Sequence, residues 1–220
     1  MHTLPQILKI RSIFRVDFFK VIYNNAVQIS KENIGIGILA SEKSRRMDKN
    51  KAFLQIEGLS FIEHTCKEFD SFGQIYISAN NKDSYKDLGF TVVQDEHHGV
   101  GPMEGIYQIL KESKYEYNFI CSVDMPFLKC EFLEYLISKI DEENDCYVFE
   151  DEKRTHPTCA VYSKSLISLI EKLINEKKYC LLEIFDQSNT KYIPYPEGQL
   201  DKKMLVNINT QQDYESLCNN

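Results

Sequence analysis

No C-x-x-C pair, no apolar run of membrane length and no internal repeat occurs in this 220-residue chain. Each absence removes a class of function. The seven cysteines (Cys66, Cys121, Cys130, Cys146, Cys159, Cys180, Cys218) are odd in number and irregularly spaced. That pattern argues against a disulfide framework or a zinc site and for reduced, mostly buried thiols. Nothing approaches the roughly 20 apolar residues of a membrane helix, so no membrane partner is expected. A basic excess is missing too. The net charge is −7 and the pI about 5.3, which excludes a protein that coats nucleic acid. With no low-complexity tract or linker, the length implies one domain, or one domain with an appendage. What remains is a cytoplasmic globular chain whose 43% apolar content suffices for a sizeable core.

Residues 1–33 stand apart as an N-terminal extension. Lys9, Arg11, Arg15 and Lys20 sit among Ile7, Ile10, Phe14 and Phe18, as in a basic amphipathic helix, yet Phe14–Phe18 alternates as a strand does. Periodicity does not decide between the two. Charges interrupt the stretch too often for a secretory signal.

From Ile34 the pattern becomes regular, and 34–220 reads as one domain. Strand-like runs at Ile34–Ala40, Gln74–Ala79, Thr91–Gln94, Asn118–Val123 and Cys146–Phe149 alternate with helical segments at Ala52–Phe69, Lys82–Leu88, Met103–Glu112 and Lys129–Ile140. This βαβ succession predicts an α/β fold: a three-layer α/β/α, Rossmann-like domain with a mainly parallel sheet. The last third predicts strands at Thr158–Tyr162, Tyr192–Ile193 and Leu205–Val206. Helices are expected at Ser165–Glu176, Leu181–Asp186 and Thr210–Leu217, the last with Thr210 and Asp213 spaced as a capping box.

Parallel topology places the β-to-α loops 41–51, 80–81, 95–102 and 124–128 on one edge, where open sheets bind ligands. The first of these holds Lys43, Arg45, Arg46, Lys49 and Lys51 against Glu42 and Asp48, a local balance of +3 that suits a phosphate. Arg46 and Lys51 would stabilise charge developing during transfer. Asp124 directly follows its strand, a place suited to Mg²⁺, which takes one or two carboxylates plus phosphates; the alternative is an Asp that caps a turn. Asn80 and Asp95 end two further strands. Asn80 reads equally as base contact or turn residue, and Asn209 as a helix cap. His97 and His98, adjacent in sequence, read as loop residues rather than metal ligands. Gly35-Ile36-Gly37 is not a dinucleotide fingerprint: Ala40 replaces the third glycine, and the pair lies inside the strand.

In order, these residues resemble the molybdenum cofactor guanylyltransferases, the MobA-like nucleotidyltransferases. That family carries L-A-G-G-x-S-x-R-M-G-x-D-K after its first strand, and the corresponding stretch here runs from Leu39-Ala40-Ser41 to Lys51. Ile77–Asn80, Val93–Asp95 with Gly101–Gly105, Cys121–Phe127, His156-Pro157 with Ala160–Tyr162, and Asn207-Ile208-Asn209-Thr210 follow the family's later motifs. The resemblance implies transfer of GMP from GTP to the phosphate of molybdopterin, with Mg²⁺ and release of pyrophosphate. It implies that Leu39, Ala40, Ser41, Lys51, Asn80, Asp95 and Asp124 bind the nucleotide and that Asp124 holds the metal. Arg46, Lys51 and Asp124 would then be catalytic, and Gly101, Pro102, Asn207 and Asn209 would face the pterin. Molybdoenzymes or their chaperones are expected as further partners. The chain departs from the family at Ser41, Glu42 and Asp48, where glycines are expected, and at Asn50, where aspartate is. Bulkier residues there keep backbone amides away from a nucleotide. Two alternatives therefore stand beside the first reading: an impaired relative that binds molybdenum cofactor or a partner, and a nucleotidyltransferase with another base or acceptor.

Overall fold

β1 (Gly35–Leu39) is buried along its whole length and pairs in parallel with a strand on either side. This computed structural model describes residues 29–40, 50–97, 99–152 and 154–218. Most of the 1–33 extension, and Ser41, Glu42, Arg46 and Asp48, therefore lie outside the described residues. The other strands are β2 (Gln55–Ile56), β3 (Leu59–Ser60), β4 (Ile75–Ala79), β5 (Thr91–Gln94), β6 (Tyr117–Ser122), β7 (Cys146–Glu150), β8 (Thr155–Ser163) and β9 (Thr190–Pro194). Seven of them form one sheet in the order β5-β4-β1-β6-β8-β7-β9. After β1 the chain steps outward to β4 and β5, then returns to β6 on the other side of β1. The strand order thus reverses at β1, and a crevice opens at its C-terminal end.

β8 alone runs against the rest, antiparallel to both β6 and β7. The connection from β7 is too short for a crossover helix. It closes through the Asp151 amide on the Arg154 carbonyl (3.0 Å) and the Arg154 amide on Asp151 Oδ1 (3.0 Å).

Helices cover both faces. Alternating side chains of one strand point to opposite sides, so Phe119 and Ile120 of β6 enter different layers. On one side, α1 (Phe61–Glu68) and α3 (Cys130–Ile137) pack an aromatic chain: Phe69 on Phe119 with centroids 5.5 Å apart, Phe119 on Phe132 at 6.3 Å, and Phe132 on Phe149 at 4.4 Å. On the other, α2 (Pro102–Glu112), α4 (Ile167–Asn175) and α5 (Leu182–Asp186) bury Ile106, Ile109, Ile170 and Ile184 against Leu39, Ile120, Val148 and Ala160. The three-layer expectation holds. Gly37 explains the G-x-G inside β1. A Cβ there would lie 2.5 Å from Ile120 Cδ1 and 2.9 Å from Ile109 Cδ1, so its bareness admits the packing of α2. Among the described residues, Cys66, Cys121, Cys130, Cys146, Cys159 and Cys180 are unbonded, and Cys66, Cys121, Cys146 and Cys159 are buried; burial pushes the Cys66 thiol up to about 12.

Two sequence expectations are corrected. The helix expected over Ala52–Phe69 begins only at Phe61. Before it come a 3-10 turn (Lys51–Phe53) and the hairpin β2–β3. Its two turn residues, Glu57 (φ 52°) and Gly58 (φ 83°), are both left-handed, as a tight two-residue hairpin turn requires. Ser60 then starts the helix in a capping box with Glu63. The strand expected at Leu205–Val206 is absent; Lys202–Leu205 forms a 3-10 turn capped by Asp201. The closing helix α6 (Gln211–Cys218) does start in the expected box, with the Asp213 amide on Thr210 Oγ1 (3.1 Å) and the Thr210 amide on Asp213 Oδ2 (2.8 Å).

Candidate functional site

Three stretches distant in sequence meet where β1 and β6 end. Lys51 stands in its 3-10 turn because Asn50 caps that turn, Oδ1 accepting from the Ala52 amide at 3.1 Å. Asp124 lies just beyond β6, held at the crevice by the Val123 amide on the Leu39 carbonyl (3.1 Å). The third stretch, Asn207–Asn209, crosses the strand ends with Ile208 buried between the two asparagines. Its Ile208 amide donates to the Asp124 carbonyl at 2.8 Å.

Their side chains form one polar cluster, with the Lys51–Asp124 pair buried, Asn207 half-buried and Asn209 exposed. Lys51 and Asp124 are 4% and 3% exposed. Lys51 Nζ is 3.4 Å from Asp124 Oδ2 and 3.1 Å from Asn209 Oδ1. Asn207 Nδ2 donates to Asp124 Oδ1 at 2.8 Å. A buried carboxylate and a buried ammonium survive only when paired and hydrogen-bonded, and each has such partners here. Lys51, Asp124, Asn207 and Asn209, selected from separate motifs, are brought together.

Asp95 and Asn80 lie to one side, at the ends of β5 and β4. Asp95 is buried and accepts from Ser78 Oγ at 2.9 Å, while Asn80 is exposed. Leu39 and Ala40 end β1 between these and Asp124, with the Ala40 amide on the Ser78 carbonyl at 2.8 Å. Gly101 (φ 81°) and Pro102 open α2. They do not line the cavities that hold Asn207 and Asn209.

On the other side lie two adjoining cavities. The larger, about 840 Å³, is lined by Asp151, Arg154, His156, Tyr195, Val206 and the two asparagines, among others. The smaller, about 270 Å³, reaches Asp124 and shares Arg154, His156, Asn207 and Asn209 with it. His156 is buried, its Nε2 2.9 Å from Asp151 Oδ2. The larger cavity has the volume of a small-ligand site, and most of its lining residues are polar: Glu150, Glu152 and Glu197 stand with Asp151, and Lys202 with Arg154.

One fully buried carboxylate was not foreseen. Glu104, in the first turn of α2, is fully buried. It accepts from the Glu96 amide (2.9 Å), the His97 amide (3.2 Å) and Gln108 Nε2 (2.8 Å), and pairs with His97 Nδ1 (3.0 Å). Burial pushes its carboxyl up, but these bonds outweigh burial and hold it below the usual carboxylate range. The signal was a glutamate at the third helical position, the N-terminal place where carboxylates collect amides. Arg154, Asp151 and Tyr195 were missed as well, because cavity walls assembled from β8, β9 and their loops leave no local pattern.

Residues 36–190 match the MobA-like NTP transferase domain family. A protein named probable molybdenum cofactor guanylyltransferase from Clostridium perfringens is 36% identical over 186 residues, 82% of this chain and 93% of that protein. One of the same name from Carboxydothermus hydrogenoformans is 30% identical over 189 residues, 84% of this chain and 95% of that one. The crystal structure of molybdopterin-guanine dinucleotide biosynthesis protein A from Archaeoglobus fulgidus superposes with a TM-score of 0.73 at 23% identity, covering 84% of this chain and 96% of that chain. At that identity the superposition speaks for the fold.

Proposed function

This chain belongs to the MobA-like NTP transferase family and is a nucleotidyltransferase, and we propose that it transfers GMP from GTP to the phosphate of molybdopterin, releasing pyrophosphate. One observation carries this reading. The Lys51–Asp124–Asn207–Asn209 cluster, built on its buried Lys51–Asp124 pair, stands between the strand ends bearing Asn80 and Asp95 and the cavity of about 840 Å³. A nucleotide laid over the ends of β4 and β5 would direct its α-phosphate at Lys51. An acceptor in the cavity would approach the same point from the opposite side.

The attacking group is already an anionic phosphate, so no general base is needed. The work is positioning and charge stabilisation. Lys51 would neutralise the phosphate whose charge grows in the transition state, with Arg46 assigned the same task from the sequence. Asn80 and Asp95 would contact guanosine, Asp95 pre-set by Ser78. Asn207 and Asn209 would hold Asp124 and Lys51 in place while their remaining valences face the acceptor. Gly101 and Pro102 remain assigned to the pterin side on sequence alone.

The residues present suit Mg²⁺. Asp124 offers one buried carboxylate whose Lys51 contact, at 3.4 Å, is loose enough to yield, and Mg²⁺ ordinarily takes one such group with substrate phosphates. Asp124 would hold it, and when bound it would supply charge neutralisation for the departing pyrophosphate.

Pyrophosphate release with Mg²⁺ and molybdopterin, run with GTP, ATP, CTP and UTP in turn, tests the proposal. Turnover confined to GTP supports it. Turnover confined to another nucleotide overturns the base assignment. Molybdopterin binding without turnover would establish the impaired relative that Ser41, Glu42 and Asp48 suggest.

A further inference from the structure

Tyr85 is buried (2% exposed) in the 3-10 turn Lys82–Leu88 that follows β4. Its phenol oxygen accepts from Asn50 Nδ2 at 3.0 Å and donates to the Ala40 carbonyl at 3.2 Å. The direction of this relay is determined. Asn50 Oδ1 is committed to the Ala52 amide, so its NH₂ must face Tyr85. The Ala40 carbonyl can only accept. Phe53 stacks on the Tyr85 ring with centroids 5.2 Å apart. Ala40 is the last described residue of the β1 end, and Asn50 immediately precedes Lys51. The relay therefore ties the turn that carries Lys51 to the end of the central strand.

We propose that Tyr85, through Asn50 and Ala40, is the positioning residue that holds Lys51 at the point of phosphoryl transfer. The inference rests on the reading of Lys51 given above. Tyr85 touches no substrate; it acts through the backbone of the Lys51 turn. Among the described residues, the Asn50 cap, the Tyr85 relay and the Phe53 stack all act on that turn. The relay joins it to the end of β1, the element against which Asp124 is also registered.

Two single-atom changes isolate the relay. Tyr85→Phe removes both bonds and keeps the stacked ring. Asn50→Asp keeps the cap oxygen but has no N–H to give; its carboxylate would claim the phenol proton and leave the Ala40 carbonyl without a donor. In the full-length protein, assayed by pyrophosphate release from GTP with Mg²⁺ and molybdopterin, each should lower kcat about 10-fold with the KM for GTP changed less than about 3-fold. The double variant should be no slower than the slower single, since both break one relay. Thermal unfolding is followed in parallel. A purely structural Tyr85 would lower the unfolding temperature, leave kcat of the folded protein unchanged and give additive effects; that result overturns the proposal. So does an Asn50→Asp variant faster than wild type. Lys51→Ala separates the two levels. If it is inactive while Tyr85→Phe turns over normally, the relay fails and the reading of Lys51 stands. If Lys51→Ala turns over normally, the reading itself falls.

Discussion

Replacing Lys51 by methionine keeps most of the side chain's length and apolar stem and deletes its charge, which makes the buried pair measurable. The two side chains are 5% and 4% exposed and 3.4 Å apart. At an effective dielectric near 20 their gross attraction is roughly 5 kcal/mol, most of it offset by the cost of desolvating both ions. The asymmetry appears when one ion goes. Asp124 would stay buried, with the Asn207 amide at 2.8 Å as its remaining described side-chain donor. Breaking a buried pair this way costs about 3–5 kcal/mol; the Asn207 bond places this site near the lower figure. For a chain of this size each kcal/mol moves Tm by about 2–4 °C, so Lys51→Met should unfold about 6–12 °C below wild type. Adding Asp124→Asn removes the stranded charge, and stability should return to within about 1 kcal/mol of wild type. Activity should not return. Both variants should have lost about 10²–10³-fold in turnover, the scale for removing one group that stabilises developing charge. Calorimetry and pyrophosphate release read the two quantities separately. A Lys51→Met protein within about 0.5 kcal/mol of wild type, or a double variant as unstable as the single, would refute the argument that a stranded carboxylate is the source of the loss.

Three further substitutions test neighbouring parts of the fold. Glu104→Gln presents an amide to N–H donors and should cost about 1–3 kcal/mol. Because Glu104 titrates below the usual carboxylate range, its contribution is complete above the ordinary carboxylate pKa and is lost as pH falls through the lowered folded value; urea unfolding from pH 7 downward should show wild type and variant converging. Gly58→Ala places a side chain at φ 83° with nothing within 4 Å, so its cost is backbone strain alone, about 1–2 kcal/mol, read from the urea midpoint with activity intact. Gly105→Ala brings a Cβ to 2.5 Å from Ser78 Oγ and 2.7 Å from Leu39 Cδ2; it should cost about 1–3 kcal/mol and, by pushing Ser78 off Asp95, raise the KM for GTP in the pyrophosphate assay.

The layout of the sheet was legible because it depends on patterns that are local. Runs such as Ile34–Ala40 and Asn118–Val123 have the length and apolar content of a buried strand, and Gly89, left-handed at φ 76°, stops the preceding turn where the sequence places it. The failures are local as well. Phe53, Ile56 and Phe61 fit a helical spacing, yet Glu57-Gly58 is a two-residue hairpin signal, and turn chemistry overrode period. Leu205-Val206 had the composition of a strand but lies beyond Asp201, which caps a 3-10 turn instead. Between Asp201 and Val206, one cap outweighs two aliphatic residues.

The site divided along the same line, and the division has a physical cause. Parallel topology gathers the loops that follow the parallel strands on one edge, so Asn80, Asp95 and Asp124 could be selected from their position just past a strand, and Lys51 from its charge at the end of the loop after β1. The groups that hold them obey no such rule. Tyr85 reaches Ala40 across 45 residues, Asn207 reaches Asp124 across 83, and Asn209 reaches Lys51 across 158. Each is a side-chain contact between loops, invisible to periodicity. These supports also decide what the cluster can do. Lys51 is gripped from the β4 side through Asn50 and from the C-terminal segment through Asn209, so the two sides proposed for nucleotide and acceptor meet in one ammonium group. A change on either side then reaches the other. Loss of the Asn209 bond in Asn209→Ala should therefore weaken GTP turnover as well as acceptor binding, and an Asn209→Ala enzyme whose defect is confined to the KM for molybdopterin would show that Lys51 is held from the nucleotide side alone.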